Sequence, residues 1–197
     1  MSLTPDVLTG GDGLPRCGWV GDDQEYRRYH DEEWGFALHG DRALFEKLSL
    51  EAFQSGLSWI TILRRREGFR RAFAGFDPTA VASFDEEDVA RLLDDASIIR
   101  NRSKVEATIA NARLLVTRIA HEPGGLDGLV WRHAPEPRAQ RPRRLAELPA
   151  TTAESSALSR ALKSVGWRFV GPTTAYALMQ SAGLVDDHLA GCWRASP

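Results

Sequence analysis

Residues 41–63 read DRALFEKLSLEAFQSGLSWITIL, and the spacing of apolar residues in this stretch indicates the fold class. Side chains that can face a protein core recur at intervals of three and four, as on one face of an α-helix: Leu44, Phe45, Leu48, Ala52 and Ser55. Asp41 is a residue type that caps helix N-termini. A second helix is expected after Ser58, with Trp59, Ile62 and Leu63 on one face. The stretch therefore predicts two consecutive helices.

Helical patterns continue towards the middle of the chain. Asp77-Pro78 places a capping residue before a proline at the first helical position. Residues 85–94 follow with apolar side chains that can face a core. Residues 105–119 give the clearest amphipathic pattern of the chain, and this helix is expected to end near His121.

The C-terminal third contains two more helix signals. Thr151 and Glu154 have the spacing of a capping box. Pro172 opens a further helix that Gly183 closes. Because period-two alternation is nearly absent from the whole chain, the sequence predicts an all-α fold.

Two regions lack helical periodicity. Residues 1–15, MSLTPDVLTGGDGLP, are interpreted as a disordered tail. The composition shifts to Pro, Gly and Arg between Pro123 and Pro149, which predicts a long surface connection and not a packed element. The remaining residues, 16–197, are expected to form one all-α domain, which could consist of two closely packed helical subdomains.

The composition limits the class of protein. The chain has 197 residues, of which 43% are hydrophobic and 26% charged, and this excludes disordered and collagen-like classes. Without an apolar run of about 18 residues or a secretory signal in Met1–Arg16, a cytoplasmic protein with no membrane partner is expected. The net charge of −2 conceals arginine clusters at Arg64–Arg71 and Arg138–Arg144, so it neither shows nor excludes a nucleic-acid partner.

Both cysteines of the chain lie in pairs with metal-ligand spacing. Cys17 precedes His30 near the start, and His188 precedes Cys192 by four residues near the end, a spacing that would bring both side chains to one face of a helical turn. Two thiolates and two imidazoles would complete a tetrahedral structural Zn²⁺ site that joins the chain ends. The alternative is two buried free cysteines and two unrelated histidines.

Glu51 lies on the apolar stripe of the first helix, three residues after Leu48. An unpaired buried carboxylate is costly, so Glu51 needs a partner, a proton or a pocket that a ligand completes. Aromatic residues are concentrated nearby in the sequence: Trp19, Tyr26, Tyr29, Trp34 and Trp59. Together they would suit a flat ligand with donors or positive charge. Alternatively, Glu51 lies at the rim and the aromatic residues form core.

The segment Gly166–Thr174 places glycines in a hairpin directly before a helix N-terminus. Free backbone N–H groups at such a position can bind phosphate without side-chain charge. The residues concerned are Gly166, Val170, Gly171, Thr173 and Thr174. A tight turn between two helices also needs glycine, so a purely structural role is the alternative.

Taken together, these residues resemble the 3-methyladenine DNA glycosylase I family. The resemblance rests on ordered blocks between Arg16 and Cys192: RCGWV at 16–20, YHDEEWG at 29–35, GLSWITIL at 56–63, FDP at 76–78, SIIRNRSKVEATIANA at 97–112 and FVGPTTAYALMQSAGLVDDH at 169–188. Two departures are Ala52-Phe53, where Gly-Gln is common, and the serines Ser97 and Ser103 in place of glycines.

The resemblance implies a helix-hairpin-helix DNA glycosylase that removes 3-methyladenine from alkylated double-stranded DNA in base-excision repair. It places the catalytic, base-recognising carboxylate on Glu51 and the base-binding aromatic residues on Trp19, Tyr29 and Trp59, with Tyr26 nearby. The family's DNA-gripping hairpin falls on Gly166–Thr174. One structural zinc ion would be bound by Cys17, His30, His188 and Cys192, and the protein is expected to be a monomer.

Three further expectations concern the chemistry. Lys47, Lys104 and Lys163 are not expected in the pocket, which predicts a monofunctional glycosylase without strand cleavage. Asp187, beside His188, is expected to have a supporting or capping role. The rival readings are a catalytically inactive, zinc-stabilised DNA-binding module and a zinc hydrolase, and a closed set of four zinc ligands argues against the hydrolase.

Overall fold

A computed structural model describes residues 5–195; the first four residues of the expected tail, and the last two of the chain, lie outside the described residues. The described part is mainly helical, which agrees with the predicted fold class. Its α-helices are α1 (Gln24–Glu32), α2 (Asp41–Gln54), α3 (Trp59–Leu63), α4 (Arg66–Ala72), α5 (Pro78–Ala82), α6 (Glu86–Asp94), α7 (Arg102–Thr117), α8 (Gly125–Trp131), α9 (Ala153–Ser164) and α10 (Pro172–Ser181).

Two short strands precede the helices. β1 (Val7–Thr9) pairs with β2 (Pro15–Cys17) in an antiparallel ladder that aligns Val7 with Cys17. Gly18 follows directly, and its amide donates to the carbonyl of Asp6 at 2.7 Å. The interpretation of residues 1–15 as a disordered tail is therefore wrong for this segment, because three-residue strands are too short to produce a period-two signal.

Helix N-termini follow the expected chemistry only in part. The expectation that Asp41 caps α2 is wrong, because Asp41 is the first residue of the helix, its N-cap is Gly40, and no side chain caps it. The Asp77 carboxylate accepts from the amide of Ala80 at the start of α5. The capping box of α9, however, joins Thr152 and Ser155, whose side chains accept from each other's amides at 3.1 and 2.8 Å. The prediction of Thr151 with Glu154 is wrong by one residue, because the Ser155 hydroxyl supplies the acceptor expected from a glutamate.

Helix α8 lies inside the segment 123–149, which the composition predicts to be a surface connection. Its apolar side chains Leu126, Leu129 and Val130 are buried. The Asp41 carboxylate of α2 accepts from the amide of Asp127 at 3.0 Å and so joins the two helices. The prediction is wrong over α8, because the surrounding glycines and prolines mask a helix of only seven residues.

Helix α2 lies at the centre of the core and is buried around most of its circumference. Every side chain from Lys47 to Phe53 is buried, including those of Ser49 and Glu51. On one side, Phe53 packs against Phe69 with ring centroids 4.7 Å apart. Because residues 47–53 are all buried, a polar side chain in this part of α2 faces either the core or a cavity.

Among residues 5–195, none of the helices is both long and apolar enough to span a bilayer.

Candidate active site

A cavity of about 210 Å³ lies beside α2. Residues from the N-terminal segment, α2, α3, α10 and the connection before α9 line it: Trp19, Tyr26, Tyr29, Trp34, Glu51, Gln54, Trp59, Leu148, Ala177, Gln180 and Ser181. The structure thus brings together all five residues that sequence reasoning assigned to base recognition. Five of the eleven lining residues are aromatic and one is a carboxylate, which suits a flat ligand with donors or positive charge.

Glu51 is only 4% exposed and lies in the cavity wall, so the alternative that places it at the rim is wrong. The hydroxyl of Ser181 donates to its Oε1 at 3.0 Å. Burial raises the pKa of Glu51 to about 7, and the nearby charge of Lys47 and the Ser181 hydrogen bond oppose that rise. The carboxylate is therefore poised to change its charge near neutral pH.

The aromatic side chains pack against one another in two groups. Tyr29 and Trp59 have ring centroids 5.6 Å apart, and Trp19 contacts Tyr26 and Trp34 at centroid distances of 5.5 and 5.1 Å. The Tyr26 hydroxyl accepts from the amide of Ile60 at 3.0 Å, which fixes α3. The indole N–H of Trp59 is buried without a hydrogen-bond partner among residues 5–195, so it can donate to a bound ligand.

Several cavity residues were not assigned from the sequence. Ser181 and Gln180 lie in the last turn of α10. The helical spacing from Pro172 could not assign them to the cavity, because that assignment requires knowing how α10 packs against α2. Leu148 comes from the irregular connection before α9 and has no sequence signal at all. The departures Ala52 and Phe53 do not line the cavity, because Phe53 points into the phenylalanine cluster of the core.

None of the three lysines of the chain lines the cavity. Lys104 donates to the carbonyls of Phe53 and Ser55 at the end of α2, and Lys163 lies near the hairpin. Lys47 is closer, because its Nζ lies 5.1 Å from the ring centroid of Tyr29 and 5.7 Å from that of Trp59.

A separate cluster joins the two ends of the described chain. Cys17, His30 and Cys192 are buried, and one ligand atom from each lies within 4.8 Å of the others. Cys192 Sγ lies 3.4 Å from His30 Nε2, and both cysteines are free thiols. A hydrogen bond from the Cys17 thiol, with a smaller contribution from His30, lowers the pKa of Cys192, although burial opposes this. Thiolate and imidazole donors at these distances could hold a metal ion.

His188 lies next to this cluster but outside the 4.8 Å group. Its ring centroid is 5.0 Å from that of His30, and its Nε2 is buried without a partner among the described residues. Both histidines use Nδ1 for a carboxylate at 2.8 Å: His30 binds Asp31, and His188 binds Asp186. This orients each Nε2 for metal binding. The expected helical turn from His188 to Cys192 is wrong, because this segment is irregular.

The hairpin Gly166–Thr174 connects α9 to α10. Asn111 of α7 holds it by donating to the carbonyl of Arg168 at 3.2 Å and accepting from its amide at 2.9 Å. No side chain caps α10, so the amides of Thr173 and Thr174 face the open end of the helix. Ser55, Val170, Gly171 and Thr174 line one shallow depression, which places the hairpin next to the C-terminal end of α2.

The run Arg138–Arg144 is bound largely to the protein itself. Arg138 contacts the buried Asp187 at 3.0 Å, Arg141 contacts Asp186 at 2.6 Å, and Arg144 contacts Glu147 at 2.9 Å. Asp187 also accepts from the hydroxyl of Tyr176 at 2.6 Å. These contacts fasten the connection before α9 onto the fold and agree with the supporting role expected for Asp187.

A mainly helical fold with a buried carboxylate in an aromatic cavity is the arrangement expected of a DNA glycosylase, which must surround a flat base outside the duplex. A profile described as methyladenine glycosylase matches residues 19–195. DNA-3-methyladenine glycosylase 1 of Escherichia coli (strain K12) is 46% identical over 180 residues, which cover 91% of this chain and 96% of the relative. The chain belongs to the 3-methyladenine DNA glycosylase I family.

Solved structures agree with that membership. A crystal structure of 3-methyladenine DNA glycosylase I matches with a TM-score of 0.86 and 44% identity, covering 90% of this chain and 98% of the other. A variant of 3-methyladenine DNA glycosylase I in complex with 3-methyladenine matches with a TM-score of 0.84 and 30% identity, covering 91% and 96%. The expected fold class and the expected enzyme class, a DNA-3-methyladenine glycosylase, are confirmed.

Proposed function

We propose that this protein flips 3-methyladenine out of double-stranded DNA into the Glu51 cavity and hydrolyses its N-glycosidic bond, without cleaving the strand. The observation that carries the proposal is one buried carboxylate in an aromatic cavity of a 3-methyladenine DNA glycosylase I family member. A base must leave the duplex before a protein can surround it, and a damaged base that pairs poorly is the least costly to extrude.

Glu51 supplies selectivity through charge. A 3-methylated adenine carries positive charge and is already a good leaving group. The protein therefore has to lower the activation barrier less than for a neutral base. The carboxylate accepts hydrogen bonds from the adenine edge and attracts the positive ring. A normal adenine is neutral and gains less from that carboxylate. Discrimination thus comes from differential stabilisation at the transition state, with water as the nucleophile.

The aromatic side chains position the flipped base. Tyr29 and Trp59 stack on it, and Trp19 and Tyr26 close the wall. The indole N–H of Trp59, which has no hydrogen-bond partner within residues 5–195, is available to a base nitrogen. Stacking of a cationic ring on aromatic faces adds attraction to the apolar contact. The absence of any lysine from the cavity wall supports the monofunctional reaction, because an imine intermediate needs an amine at the reacting carbon.

Two exposed apolar side chains lie in the turn after α2 and in the hairpin. Leu57, in the turn between α2 and α3, is 42% exposed, and Phe169 of the hairpin is 44% exposed with a φ of 55°. Enzymes that bend or open a duplex commonly insert apolar side chains between base steps. We assign Leu57 and Phe169 to the duplex face, where they occupy space that the flipped base has left.

The hairpin holds the DNA backbone. The amides of Thr173 and Thr174, at the positive end of α10, bind a phosphate, and Gly171 leaves room for its close approach. Gly166 and Val170 shape the turn. This backbone mode of binding explains how a chain with a net charge of −2 binds DNA.

The metal cluster stabilises the fold in this proposal. Cys17, His30 and Cys192 hold one Zn²⁺ ion, and His188, whose buried Nε2 has no hydrogen-bond partner among the described residues, is the fourth ligand. A zinc ion with four protein ligands joins chain segments and keeps no position open for water. The same proposal includes a monomer and a cytoplasmic location with access to DNA.

The proposal is tested by incubating the purified protein with alkylated duplex DNA and identifying the released bases by mass spectrometry. We expect release of 3-methyladenine and alkali-labile abasic sites, with strands intact until alkali is added. Duplex binding without base release would instead identify an inactive DNA-binding module. Strand cleavage without alkali would contradict the monofunctional mechanism.

A further inference from the structure

Lys47 and Glu51 lie one turn apart on α2, and both are nearly inaccessible to solvent, at 9% and 4% exposure. An ammonium group in a protein interior is costly unless an opposite charge or another favourable contact offsets its lost hydration. The Lys47 ammonium lies over the rings of Tyr29 and Trp59, which gives it cation–π contacts. These are the two rings proposed to stack on the base, but Lys47 itself does not line the cavity.

The other charged groups around Lys47 already have partners. Glu33, which follows α1, is held by Arg66 at 2.5 Å and by Arg28 at 2.8 Å. Glu46 of α2 is held by Arg70 at 2.8 Å. Glu51 differs, because its hydrogen bond within residues 5–195 comes from the neutral hydroxyl of Ser181. Glu51 therefore lacks an arginine partner, and Lys47 is the cation one turn away from it.

The two buried charges stabilise each other. Little water screens charges inside the core, so an opposite charge one helical turn away has a large effect on each ionisation. Burial lowers the pKa of Lys47, and the carboxylates of Glu51 and Glu33 raise it, whereas Arg66 lowers it. In return, Lys47 lowers the pKa of Glu51 against the effect of burial.

We propose that Lys47 is a positioning residue of this glycosylase: from behind Tyr29 and Trp59 it acts as the counter-ion of Glu51 and keeps Glu51 ionised before a base binds. The inference rests on the proposed function, in which a cationic base is the ligand. The charge of Lys47 therefore has two opposing effects on activity. Lys47 increases the fraction of molecules with an ionised Glu51, but its own charge repels the cationic base once that base has entered.

Replacing Lys47 by methionine separates the two effects, because methionine keeps the unbranched chain and removes the charge. We expect the acid limb of the pH profile of kcat/KM to move to higher pH by about one unit in Lys47→Met, so activity near pH 6 falls by about tenfold. Above pH 9 the activity should equal or exceed that of the wild type. In Lys47→Arg, the matched control, the acid limb of the kcat/KM profile should stay at the wild-type pH.

A second readout follows Glu51 without catalysis. In protein labelled with ¹³C at glutamate side-chain carboxyls, the signal absent from Glu51→Gln identifies Glu51. We expect its titration midpoint to rise in Lys47→Met, and in Lys47→Gln if the methionine variant unfolds. In the Glu51→Gln background, Lys47→Met should not shift any acid limb.

The outcomes distinguish this inference from the proposed function. If the wild type releases 3-methyladenine but the Glu51 midpoint and the acid limb stay unchanged in folded Lys47 variants, the counter-ion role is wrong. If the wild type releases no 3-methyladenine, the proposed function fails, and the carboxyl titration still decides whether Lys47 controls the charge of Glu51.

Discussion

At the scale of single residues, Glu51 has two opposing properties. Burial disfavours its charge, whereas the proposed reaction uses that charge. Residues that break the usual rules of core composition are expected where function requires them. The sequence could reveal Glu51 because a carboxylate interrupts an apolar stripe. It could not reveal Ser181 or the position of Lys47 over the aromatic rings, because both depend on how distant elements dock.

The first prediction concerns Glu51→Gln, which keeps the shape of the side chain and removes its charge. A hydrogen bond to a charged group contributes about 1.5–3 kcal/mol, more than a neutral one, so excision of 3-methyladenine should fall by about 10- to 100-fold. Single-turnover assays on alkylated DNA measure this. Unchanged release from a correctly folded variant would refute the role of Glu51.

The second prediction is a pH dependence set by the same carboxyl group. The pKa of Glu51 is raised to about 7, and the ionised form is the active one. Activity should therefore be present above pH 7 and be lost as the pH falls through 7 and below. Measuring kcat/KM between pH 5.5 and 8.5 at constant ionic strength tests this, with Glu51→Gln as the control that lacks the transition. A wild-type kcat/KM that does not change over this pH range would contradict the role of ionised Glu51.

At the scale of elements, the two glycines of the hairpin, Gly166 and Gly171, have different structural roles. Gly171 has a φ of −89°, and a Cβ added there would meet no atom within 4 Å. Gly166 has a φ of +105°, a conformation that side-chain-bearing residues rarely adopt. The position of Gly171 thus tolerates a side chain in the free protein, whereas the position of Gly166 does not.

The third prediction follows from this contrast. Gly171→Ala should leave the free energy of unfolding nearly unchanged but weaken duplex binding by about tenfold, because the methyl group blocks close approach of a phosphate to the α10 amides. Gly166→Ala should lower the stability by about 1–2 kcal/mol. Fluorescence anisotropy and thermal unfolding compare the pair. Equal DNA affinity of Gly171→Ala and the wild type would place the phosphate elsewhere.

How far the sequence predicts the elements depends on their length and on local chemistry. Helices α2 and α7 were predictable because an apolar stripe repeats over several turns, and α5 because Asp77-Pro78 marks its start. Strand β1 and helix α8 were not, because each is short and is stabilised by pairing with a distant segment. Short elements take their conformation from tertiary contacts more than from their own residues.

At the scale of the whole molecule, arginine clusters do not translate into a basic surface. Arg64 pairs with Asp23, Arg66 with Glu33 and Arg70 with Glu46, and much of the Arg138–Arg144 run is likewise bound by carboxylates. Charge counts along a sequence cannot show such pairing. Under the proposed function, the DNA contacts therefore fall to backbone amides and to exposed apolar side chains.

The fourth prediction concerns the cluster that joins the chain ends. Cys192→Ser removes one of its buried ligands, so the metal content should fall and the free energy of unfolding should decrease by roughly 3 kcal/mol or more, which lowers Tm by about 10 °C. Elemental analysis and calorimetry measure both. Activity at low temperature should persist in the folded fraction, with chelator-treated wild type as the control. Loss of activity without loss of stability would indicate a catalytic metal instead.

The same cluster links the cavity wall to the segment around Cys192. Trp19 of the cavity wall packs against His30 at a centroid distance of 5.5 Å, and His30 in turn contacts Cys192. Heat that opens this cluster therefore also loosens the wall that receives the base. We expect base binding to be lost over the same temperature range in which the two distant segments separate.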